Sequence, residues 1–104
     1  MDAKELYSFV LLNANKFLRV VGTFEFAEIS RPDFNPSLQD IAETMKAVSV
    51  QLKRLNNDVL VEMQCDTYVG YMEQMARAIG RGDEDELYRL AGELRKMSFV
   101  YPNY

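Results

Sequence analysis

The sequence predicts an all-α protein, a four-helix antiparallel bundle with a long aromatic-rich connector between helices one and two. Three observations carry that expectation. Four segments repeat apolar residues at spacings of three and four, as helices that bury one face do. Each segment opens on a residue suited to a helix start: Asp2, Asn35 with Pro36, Asp58 and Asp83. The 104 residues, 48% apolar and 27% charged, suit one domain spanning 1–104. The helices are expected near 3–21, 36–55, 59–79 and 84–98.

In the first helix Asp2 can cap the Glu5 N–H, and Gly22 is expected to end it as a left-handed residue. Leu6, Val10, Ala14, Phe17, Leu18, Val20 and Val21 share one broad face, so two neighbours are expected. Asn13 projects from that face, either hydrogen-bonded in the core or marking where a partner backbone arrives.

Residues 23–35 break the helical pattern. Thr23-Phe24-Glu25-Phe26 alternates as a strand would, and Arg31 to Pro36 holds two prolines among turn formers. Phe24, Phe26, Ile29 and Phe34 argue against a floppy linker. The connector is expected to lie along the bundle with its phenyl rings inserted.

The second helix carries a narrow seam, Leu38, Ile41, Met45, Val48, Leu52 and Leu55, with Lys53 and Arg54 in its last turn. Asn56-Asn57-Asp58 shifts the register to Val61, Cys65, Tyr68, Met72, Met75 and Ile79. A tight turn capped by Asp58 explains the shift best, and one helix from 36 to 79 with a stutter is the alternative. Leu60, Val69, Tyr71, Ala76 and Ala78 widen the apolar face of the third helix, which is therefore expected at the centre. Gly80 to Asp83 then closes one helix and opens the next, where Leu87, Leu90, Ala91, Leu94 and Met97 form a second narrow stripe.

Composition excludes several chemistries. There is no histidine, and Cys65 is the single cysteine. A histidine base, a His or multi-Cys metal site and an intrachain disulfide are ruled out. A net charge of −4 disfavours nucleic acid as a partner. No run reaches the roughly 18 apolar residues of a membrane span. The opening residues read as a helix start rather than a secretory signal, and with one free thiol the expected location is cytoplasmic.

Motif-like strings yield to simpler readings. Arg81-Gly82-Asp83 spells an adhesion tripeptide, yet Gly82 and Asp83 serve as a helix stop and cap. Cys65 sits on an apolar seam with no activating group, so an inert buried thiol is expected. Tyr68, Met72, Met75 and Tyr71 read as core before they read as a ligand pocket. Asp40 with Glu43, and Asp58 with Glu62 and Asp66, distantly resemble the paired E-x-x-E and E-x-x-D of all-α nucleotide pyrophosphohydrolases. The spacing differs, and ordinary solvated faces explain these carboxylates better.

What remains is surplus apolar surface. Leu12, Val50, Val59 and Met63 fall on otherwise polar helix faces, and the tail adds Phe99, Tyr101 and Tyr104. The expected function is a non-enzymatic protein–protein interaction module: a small adaptor, chaperone-like or regulatory bundle that forms a homodimer. Phe24, Phe26, Phe34, Tyr101 and Tyr104 are the expected partner-binding residues, with no catalytic residue, metal ligand or cofactor. The alternatives are a Mg²⁺-dependent nucleotide pyrophosphohydrolase-like enzyme and a small acidic inhibitor.

Overall fold

Asp2 starts the chain's first helix as its sequence predicts, accepting the Glu5 N–H at 2.8 Å on Oδ1. The computed structural model describes residues 2–35, 37–55 and 58–97, and the chain in these segments is all-α. Five helices follow one another: α1 (Ala3–Thr23), α2 (Phe26–Ile29), α3 (Leu38–Leu55), α4 (Val59–Arg81) and α5 (Glu84–Arg95). None of them is long and apolar enough to cross a membrane.

Helix α1 runs two residues past its expected end, through Gly22. Gly22 is not left-handed; among the described residues only Gly82 has positive φ. A Cβ on Gly22 would stand 2.9 Å from Arg95 Nη2, which donates to the Leu18 carbonyl at 3.1 Å. Asn13 is half-buried and donates Nδ2 to the Phe9 carbonyl at 2.9 Å, so α1 itself satisfies it.

The strand-like stretch in the connector is a helical turn. Phe26 and Ile29 stand three apart, and the Glu25 carbonyl accepts from both Glu28 and Ile29 N–H. Ile29 is buried at 3% exposure, so the apolar pair decides for a helix over an unpaired strand. Helix α3 begins at Leu38 rather than 36: the Ser37 carbonyl accepts the Ile41 N–H, and its hydroxyl accepts from Asp40 N–H. The expected start at Pro36 lies outside the described residues.

Two helices, 38–55 and 59–81, stand here rather than one stuttering helix. Asp58 caps α4 by accepting from Leu60 and Val61 N–H at 2.9 and 3.4 Å. Helix α4 extends to Arg81 and ends in a Schellman turn. Gly82, at φ 71°, donates to Ile79 O, and Asp83 donates to Ala78 O. Asp83 then caps α5 through the Glu86 N–H. Helix α5 stops at Arg95, before the expected 98, as Lys96 and Met97 N–H turn back to Glu93 and Leu94.

Helix α4 is central and packs on α1, α3 and α5. Val10, Phe17, Leu52, Met72, Met75 and Leu87 are each fully buried. Tyr68 is 8% exposed, and Tyr7 donates its hydroxyl to Gln64 Oε1 at 2.5 Å within the core. Ion pairs Lys53–Asp66 and Lys46–Glu73 set α3 and α4 antiparallel, because one partner number falls as the other rises.

Candidate functional site

Most of the large apolar residues that the fold leaves uncovered lie close together along the chain. Eight large hydrophobic residues are exposed among the described residues, and five lie around the α3–α4 junction: Val50, Leu55, Val59, Leu60 and Met63. Val59 is 66% exposed and Met63 61%. They stand one helical turn apart on α4, and Leu60 flanks them.

The lengths of the helices explain this exposure. Helix α5 has 12 residues against 23 in α4 and runs back along it from the Gly82 turn. Tyr71 donates its hydroxyl to Glu93 Oε2 at 3.0 Å, so α5 ends about level with Val69. Leu60, Gln64, Thr67 and Tyr71 share one side of α4. Tyr71 meets α5 on that side, while Leu60 lies beyond its end and is 51% exposed.

On its other flank the apolar group borders charge. Lys53 Nζ meets Asp66 Oδ1 at 2.9 Å and Lys46 meets Glu73 at 3.7 Å. Donating a hydrogen bond to the Asp66 carboxylate raises the Lys53 pKa above its ordinary value. Both pairs are largely solvated and add little to stability. They mark the relative register of α3 and α4, which the buried residues between the helices hold.

The sequence-predicted contact residues fall elsewhere. Phe24 is 40% exposed, while Phe26 and Phe34 are half-buried against the core. The rings of Phe24 and Phe34 meet edge to face with centroids 5.2 Å apart. This aromatic pair belongs to the connector between α1 and α3, at the opposite end of α3 from Leu55. Tyr101 and Tyr104 lie outside the described residues. Leu12, Val50, Val59 and Met63 are exposed, as their placement on polar faces predicts. Leu55, on the narrow seam of the second helix, and Leu60, on the widened apolar face of the third, depart from expectation: both are about half exposed.

The carboxylates do not converge. Asp58 is engaged as the α4 cap and Asp66 by Lys53, while Asp40 and Glu43 are exposed on α3. Among the described residues no three acidic or cysteine side chains stand where they could hold a metal ion. An open cavity of about 370 Å³ between α3 and α4 is floored by Ala42, Ala76 and Gly80. Its rim mixes Glu43 and Glu73 with Lys46 and Arg77, so no single sign of charge gathers there.

Cys65 is 1% exposed, and burial pushes its thiol pKa up to about 11, away from the thiolate a nucleophile requires. Burial likewise pushes the Tyr7 hydroxyl up to about 12, helped by nearby Tyr68 and Cys65. Tyr68, Met72 and Met75 are core residues, and only Tyr71 of that group reaches the surface. Arg81, Gly82 and Asp83 form the helix stop and cap already described.

Comparison with protein-family models, with curated proteins and with solved structures finds no match to this chain.

Proposed function

We propose that the chain is a non-enzymatic protein–protein interaction module that works as a homodimer. In this reading its four long helices form an antiparallel four-helix bundle, and the contact surface is the apolar end of the α3–α4 hairpin. The observation that carries the reading is the pair Val59 and Met63, one turn apart on α4 and 66% and 61% exposed, with Val50, Leu55 and Leu60 also exposed in the residues leading into and out of the α3–α4 junction. Single exposed hydrophobic residues are ordinary, whereas several together on one surface mark a place where another molecule removes them from water. Phe24 offers less exposed surface, and its ring already has a neighbour in Phe34. The α3–α4 end is therefore the stronger contact. The buried, unpaired Cys65 supports a reducing, cytoplasmic setting.

Sedimentation equilibrium tests the reading. The wild-type chain should reach twice the 12.0 kDa monomer mass at micromolar concentration. Val59→Glu with Met63→Glu should sediment as a folded monomer, since neither side chain supports the core. A wild-type monomer throughout would contradict the homodimer. Steady Mg²⁺-dependent hydrolysis of a nucleotide panel, abolished by Glu62→Gln, would contradict the non-enzymatic reading.

A further inference from the structure

We draw no further inference here: the strongest candidate, the open cavity between α3 and α4 floored by Ala42, Ala76 and Gly80, carries nothing, because the charges on its rim balance, Glu43 and Glu73 against Lys46 and Arg77, and nothing in the structure shows what covers it.

Discussion

The two ends of α4 handle apolar residues in opposite ways. At the α4–α5 junction, Ala78, Ile79 and Leu87 flank the turn and are at most 4% exposed. Gly82 and Asp83 satisfy the backbone groups there, so the chain reverses with these three residues covered, and only Tyr88 nearby is exposed, at 39%. At the α3–α4 junction, Asp58 is an equally competent cap, yet Leu55, Val59, Leu60 and Met63 remain in water. Capping and burial are thus separate problems. A cap satisfies N–H groups locally, whereas burial depends on whether a neighbouring helix is long enough to reach.

Core truncation should show the contrast most strongly. Leu87→Ala and Leu52→Ala remove side chains that are 0% exposed, and each should cost on the order of 2 to 5 kcal/mol in urea unfolding. Leu60→Ala, at the uncovered end, should stay within about 0.5 kcal/mol when measured in dilute solution. A Leu60 effect as large as that of Leu87 would place Leu60 in the core and erase the difference between the two ends.

The glycines sharpen the comparison at a smaller scale. Gly82→Ala forces a side chain into the left-handed region and should cost about 1 to 2 kcal/mol. Gly70→Ala should act in the other direction, stabilising the dilute chain by about 0.4 to 1 kcal/mol, because its backbone is ordinary helix with open space above it. Chemical denaturation of both variants at low concentration decides the signs.

Alkaline titration probes the closed core between the two ends. Tyr7 is held protonated to about pH 12 when folded against 10 when unfolded, and Cys65 to about 11 against 9. The folded chain then binds more protons than the unfolded chain, so stability falls as pH rises. The contribution is fully present below pH 9 and is lost progressively between about 9 and 12. Tyr7→Phe should flatten the upper part of that loss in unfolding experiments followed against pH.

Much of the fold was legible because helix signals are local. Asp2, Asp58 and Asp83 perform the capping roles that their spacing predicts. The four long apolar repeats correspond to α1, α3, α4 and α5. Errors arose where the deciding contact is distant in sequence. Gly22 looks like a helix stop, yet α1 runs through it in ordinary helical conformation, and the Leu18 carbonyl one turn before accepts from Arg95, far along the chain. Phe24 and Phe26 alternate like a strand, but Ile29 reaches the core only from a helical turn. Leu55 and Leu60 fit their helical repeats and are exposed nonetheless, because periodicity within one helix says nothing about where its neighbours end. The candidate surface was half legible. Val50, Val59 and Met63 stood out on polar faces, but their grouping with Leu55 and Leu60 needed the fold.

Hydrogen exchange read by mass spectrometry at low and high protein concentration tests the central claim, that the exposed apolar end of the α3–α4 hairpin is where the chain meets a second copy. The account predicts that protection rises with concentration in peptides spanning 59–70 and stays constant in peptides of α1 and of the connector around Phe24. Concentration-dependent protection confined to the connector, or no dependence anywhere, would contradict it.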